Sequence, residues 1–148
     1  MRATDQGVRH PRTIIRRVPL AGRGRVKDVS IADLMPAEIK SDAPAAEQIF
    51  VELRREPMSA ARKLLALLKQ SGADATSAKE LMDAARVLVF LKGDDAHDYK
   101  FSSAILEDYH HISPDWRDVC LAANSFMLPG SMDRDNALVE RTRAALSA

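Results

Sequence analysis

The chain has 148 residues, of which 46% are hydrophobic, 29% charged and only 7 aromatic, and its formal net charge is +1. This length and apolar content predict one folded domain with a real core, and exclude a chain that is disordered throughout. No stretch approaches 18 uninterrupted apolar residues, so we expect no membrane span. The single cysteine, Cys120, excludes an intramolecular disulfide and indicates a reducing, cytoplasmic compartment.

The small net charge conceals a basic N-terminal segment. Residues 1–27 contain eight Arg and Lys against one Asp, a balance of +7, whereas residues 28–148 contain 14 basic and 20 acidic residues, a balance of −6. Glycines and prolines interrupt the basic segment, and the first aromatic residue of the chain is Phe50. Because so little can be buried there, we expect residues 1–42 to form a flexible basic arm before a helical domain at residues 43–148.

Three interpretations of the arm remain open. A targeting peptide fits the arginines, but no serine occurs before Ser30. An electrostatic tether to nucleic acid, an anionic surface or an acidic protein fits the charge, with Arg16 and Arg17 as expected contacts, although no aromatic residue is interleaved for base stacking. The third interpretation is a solvated tail, and Met35 could then serve as an alternative start.

From about residue 43 onward, apolar spacing and terminal signals predict consecutive helices. Pro57 suits the first position of the second helix, and Ser77 with Glu80 forms a capping box for the third, which we expect to be buried nearly all round. Asp95 and Ser113 are the expected N-caps of the fourth and fifth helices, and a sixth helix begins near residue 132. The fold class is therefore predicted to be all-α, a compact bundle of five to six helices.

The spacing of the helix starts leaves one alternative architecture. Successive starts are 18–20 residues apart, which also fits a short helical-hairpin solenoid.

Predicted core-facing stripes exist on the second, fourth and fifth helices. They consist of Met58, Ala61, Leu64, Leu65 and Leu68, then of Phe101, Ile105, Tyr109 and Ile112, and finally of Trp116, Val119, Cys120, Ala123 and Met127.

A cluster of histidines and carboxylates at residues 94–111 is the strongest candidate in the sequence for a metal-binding or acid/base site. With 100° per residue, Asp98 and Asp108 fall on the predicted buried face of the fourth helix, and His97 and His111 on its shoulder. These four residues are candidate ligands of a divalent transition metal, or candidate acid/base groups. Asp98 and Asp108 are separated by about 15 Å along the axis and cannot share an ion, whereas Asp108 and His111 can.

A structural interpretation competes with the metal site, because the same residues suit the two ends of a helix. Asp95 would cap the N-terminus, with Asp98 imitating a capping box. The histidines at residues 110 and 111 would lie at the negative C-terminal end of the helix dipole.

Two functional hypotheses follow from the sequence. Residues 94–117 gather both tyrosines, the tryptophan and a surplus of carboxylates. The first hypothesis is therefore a helical protein-interaction or accessory domain, with the basic arm as a tether and Tyr99, Glu107 and His110 among the contacts. The alternative is a small metal-binding or metal-dependent enzyme domain using the cluster at residues 97–111. Phosphate-loop, nucleophile-elbow and Cys-x-x-Cys patterns are absent, and partner, substrate and oligomeric state stay open.

Overall fold

The computed structural model describes residues 34–40, 43–70 and 75–147, within a unit that spans Ile31–Ala148. This part of the chain contains no strand, and the all-α prediction is confirmed. It forms a short 3₁₀ helix, Ser125–Met127, and six α-helices: α1 (Ala45–Glu52), α2 (Pro57–Gln70), α3 (Ala75–Lys92), α4 (Ala96–Asp108), α5 (Pro114–Asn124) and α6 (Ala137–Leu146). None of the described helices is long and apolar enough to span a membrane.

Most helices begin where the sequence signals place them. α2 starts at Pro57, whose missing N–H is not required in a first turn. α4 starts directly after Asp95, whose carboxylate accepts hydrogen bonds from the backbone N–H of His97 (2.6 Å) and Asp98 (3.1 Å), as expected of an N-cap. α3 differs, because it begins at Ala75 and therefore includes the predicted cap, Ser77, within the helix.

α2 is the central helix of a compact bundle, packing against α1, α3 and α5. The side chains of Leu64 and Leu65 are completely buried, and Ala61 and Leu68 share their face, as the sequence predicts. Burying each leucine stabilises the fold by roughly 1.5–3 kcal/mol relative to leaving it exposed. Residues from five helices and two adjoining segments share this core, among them Leu34, Ile49, Phe50, Leu53, Leu81, Met82, Ala85, Leu106, Tyr109, Leu121 and Leu128.

The segment at residues 34–40 packs on the helices, although the sequence assigns it to the arm. Leu34 is buried in the core. The N–H of Ala37 donates to the carbonyl of Arg62 (3.1 Å), and Nε of Arg62 donates to the carbonyl of Met35 (3.0 Å). The other described residues of this segment precede α1 in the chain. Residues 1–33, which include the predicted contacts Arg16 and Arg17, lie outside the described residues.

A single asparagine joins the end of α3 to the start of α6. Oδ1 of Asn136 accepts from the N–H of Val139 (3.0 Å), which makes it the N-cap of α6. Its Nδ2 donates to the carbonyl of Phe90 (2.8 Å) and its backbone N–H to the carbonyl of Leu91 (2.8 Å). Because these carbonyls lie in the last turn of α3, the same residue satisfies groups at both helix ends. α6 therefore begins at Ala137 rather than near residue 132.

Candidate interaction surface

α4 turns a different face toward the core than its sequence predicts. Ser102, Leu106 and Tyr109 are buried, whereas Phe101 is 46% exposed. With 100° per residue, the buried face is rotated by about 60° from the predicted one. The position of Asp108 was wrongly predicted, since it is exposed rather than directed at the core. The helix has two apolar sides, and the side with Leu106 and Tyr109 packs inward.

α5 is rotated even further. Leu121 and Ala122 are buried, whereas Trp116 is 51% exposed. The buried pair lies about 120–140° around the helix from Trp116, so the predicted core stripe is wrong for this helix. The side of α5 that bears Trp116 and Cys120 is available at the surface or half-buried.

The exposed side of α4 and its C-terminal turn line one groove with Cys120, Leu121 and Asn124 of α5. Its volume is about 190 Å³. The lining residues, most of them apolar, are Phe101, Ala104, Ile105, Asp108, Tyr109, Ile112, Cys120, Leu121 and Asn124. Trp116 precedes Cys120 by four residues on α5 and lies outside the lining itself. The arrangement is a surface groove with the exposed aromatic side chain of Phe101 in its lining.

Tyr109 fixes the two walls of the groove to each other. Its hydroxyl donates to Oδ1 of Asp118 on α5 (2.9 Å), and the guanidinium carbon of Arg117 lies 5.4 Å from the centre of its ring. Burial, and then the hydrogen bond to Asp118, raises the pKa of Tyr109 to about 12. The phenol is therefore neutral at physiological pH and acts as a hydrogen-bond donor rather than as a base.

Four carboxylates on α4 and α5 form no ion pair with a described residue, and one of them, Asp108, lines the groove. None of the described Lys, Arg or His side chains forms an ion pair with Asp98, Glu107, Asp108 or Asp115. Several carboxylates elsewhere are paired, as Asp135 is with Lys92 (2.7 Å). Residues 94–118 contain seven Asp and Glu against two Lys and Arg, so this segment has a negative net charge.

The predicted contact residues on and beside α4 lie outside the lining of the groove. Tyr99 is 41% exposed, and its hydroxyl donates to the carbonyl of Gly93 (2.8 Å). Glu107 is exposed, and so is His110, whose ring meets that of Tyr109 edge-on at 5.6 Å. Their role as contacts stays a prediction.

The candidate metal ligands are not gathered into one cluster. The side chain of His97 is 85% exposed, and its Nδ1 lies 3.6 Å from a carboxylate oxygen of the capping residue Asp95. Asp98 accepts from the N–H of Asp94 (3.1 Å), and His111 is exposed beyond the end of α4. Within residues 34–40, 43–70 and 75–147, no three His, Cys, Asp or Glu side chains are placed to hold a metal ion. The metal site stays a prediction that this geometry does not support.

A second depression was not anticipated from the sequence. It has a volume of about 650 Å³, lies open between α3 and α6, and is lined by Leu88, Leu91, Lys92, Ser131, Asp135, Glu140 and Arg143. Beside it α3 is exposed, since Val87 and Phe90 are 57% and 64% accessible. The expectation that α3 is buried nearly all round was therefore wrong.

Comparison with known proteins gives no relative. No family model matches the sequence, and neither the curated proteins nor the solved structures contain a significant match.

Proposed function

We propose that the chain is a cytoplasmic helical protein-interaction or accessory domain whose contact face is the α4–α5 groove. The basic arm supplies a second, electrostatic contact, either to the same partner or to nucleic acid or an anionic surface. One observation carries the proposal: a partly apolar groove between α4 and α5 opens at the surface, and Phe101, which lines it, is 46% exposed. Trp116 on α5 is 51% exposed and lies outside the lining of the groove.

The exposed aromatic side chain of Phe101 in the lining of the groove favours a protein partner. Tyr, Trp and Phe are enriched in the centres of interfaces, where they supply most of the binding energy. A contiguous apolar surface that is rimmed by polar groups is typical of an interaction site. The volume of about 190 Å³ lies below the roughly 300–1,000 Å³ of small-molecule pockets, which favours side chains of a partner over a cofactor.

Site-specific photo-crosslinking in the native cells tests the proposal. A photoreactive residue at Ala104, which lines the groove, is expected to form a discrete adduct with a partner protein. The same residue at Glu47, an exposed position on α1, serves as the control and is expected to form none. A Phe101→Ala substitution should reduce the adduct from position 104 by about tenfold, the effect of losing one hot-spot contact.

Phe90→Ala is the matched control substitution, since Phe90 is exposed on α3 outside the groove. It should leave the adduct from position 104 unchanged. Equal adducts from positions 47 and 104, or an equal loss with Phe90→Ala and Phe101→Ala, would contradict the proposal.

A further inference from the structure

We propose that the occupant of the α4–α5 groove is a basic amphipathic helix of a partner protein. This inference rests on the proposed function and names the chemistry of the partner. The groove is bounded by two helices, with no exposed sheet edge in the described chain to receive a strand. Its α4 wall extends about 10 Å from Phe101 to Asp108, the axial span of the apolar positions i, i+4 and i+7 of a partner helix.

The charge around the groove selects a basic helix. Residues 94–118 contain seven Asp and Glu against two Lys and Arg. Asp108 lines the groove and Asp115 adjoins Trp116, so carboxylates are present on both helices. Both lack an ion-pair partner within the described part of the chain. Lys or Arg flanking the apolar stripe of a docked helix would supply the missing counter-charges, steering its approach and fixing its orientation.

Two unique residues report directly on this groove. Cys120 is the only cysteine of the chain and lines the groove. Trp116 is the only tryptophan and lies one helical turn before it. A helix seated in the groove covers Cys120 and changes the surroundings of Trp116 one turn away. Binding therefore slows the reaction of Cys120 with a thiol reagent and changes the fluorescence of Trp116.

The test uses the full chain and synthetic peptides of about 14 residues, a length that is marginally helical alone and becomes ordered on binding. The first peptide has leucines at one helical face and lysines on the flanks. The second has the same leucines with glutamates for lysines, and the third has the composition of the first in scrambled order. Only the first peptide is expected to change the Trp116 emission, and at saturation it should slow Cys120 labelling by at least about tenfold.

Paired charge-neutralising variants locate the binding surface. Asp108→Asn with Asp115→Asn should weaken binding of the lysine peptide by about fivefold, the expected effect of two rim charges, and reduce its salt dependence. Glu47→Gln with Glu80→Gln removes the same net charge from exposed positions of α1 and α3, and should change the affinity by less than about twofold. Far-UV circular dichroism checks that all variants are folded.

The possible results separate this inference from the proposed function. Binding of the scrambled or glutamate peptide equal to that of the lysine peptide overturns the basic-helix inference, as does unprotected Cys120. Equal weakening of lysine-peptide binding in the two double variants also overturns the basic-helix inference. If the lysine peptide fails to bind while position 104 still crosslinks to a partner, the interaction function stands and only its proposed occupant is wrong. If both fail, the groove is not a contact face.

Discussion

Tyr109 is the residue on which the groove most directly depends. Its hydroxyl bonds to Asp118 and its ring lies beneath Arg117. In a Tyr99→Phe variant, Tyr109 is the only remaining tyrosine. We expect its absorbance titration to have a midpoint near pH 12, because burial and the hydrogen bond to Asp118 raise its pKa to about 12. A midpoint near 10, the ordinary value of a tyrosine, would contradict this packing.

Asp118→Asn in the same background separates the two causes of the shift. The midpoint should fall, because the charge of Asp118 is removed, but it should stay above 10 because the ring remains buried. Since the folded-state pKa is raised, the associated stability is present below pH 10 and is lost as the pH rises through about 12.

The sequence predicts single residues well where the interaction is local. Asp95 caps α4 as expected, because a cap involves neighbours only two and three residues away. The exposure of Asp108 was not predictable in the same way. It depends on which of two apolar sides of α4 meets the other helices, and that choice is made by contacts distant in the chain.

At the level of helices, Asn136 and Ser113 form a matched pair for testing capping. Asn136→Ala should lower the free energy of unfolding by about 1–3 kcal/mol, since it removes the cap of α6 and the donor to the carbonyl of Phe90. Ser113→Ala should change it by less than about 0.5 kcal/mol, because the Ser113 side chain makes no capping hydrogen bond to α5.

Urea unfolding followed by circular dichroism measures both changes. Equal destabilisation by the two substitutions would show that neither the Asn136 cap of α6 nor its hydrogen bond to α3 contributes to stability. Asn136→Asp offers a finer comparison, because aspartate retains the capping oxygen for Val139 but loses the amide donor to Phe90.

The helices themselves were predicted better than their orientation. The stripe of α2 is unambiguous, and its leucines are buried. On α5, the sequence offers two apolar sides, one with Trp116 and Cys120 and another with Leu121 and Ala122. Periodicity predicts that the longer stripe, with Trp116 and Cys120, is the buried side of α5. In the structure, Leu121 and Ala122 are buried instead. Recognising this from the sequence requires knowing which side of α5 packs against α2, a contact between segments distant in the chain.

For the whole molecule, the carboxylates predict loss of stability in acid. Hydrogen bonds from the backbone of Asp98 and His97 lower the pKa of Asp95, and the hydrogen bond from Lys92 lowers that of Asp135. Burial raises the pKa of Glu52, but the hydrogen bond from Lys63 and further interactions outweigh it, and its pKa is lowered. These contributions are present above the ordinary values of 3.8 and 4.5 and are lost as the pH falls through the lowered folded-state values.

Thermal melts between pH 6 and pH 3 check this expectation. Tm should fall with decreasing pH, and Asp135→Asn should make that fall less steep, since one protonation linked to unfolding is removed. Glu47→Gln, at an exposed position without an ion pair to any described residue, should reproduce the slope of the unchanged protein. An identical slope in all three proteins would contradict the contribution of Asp135.

The central place of α2 has a consequence for how the protein is made. Leu64 and Leu65 are buried in a core that α5 completes with Leu121. More than fifty residues separate these positions, and translation at about 5–20 residues per second takes several seconds to supply them. During that interval, Leu64 and Leu65 of the nascent α1–α2 hairpin are exposed, because α5, which packs against them, has not yet been synthesised. Until synthesis passes α5, we expect the growing chain to bind chaperones that recognise exposed apolar helices.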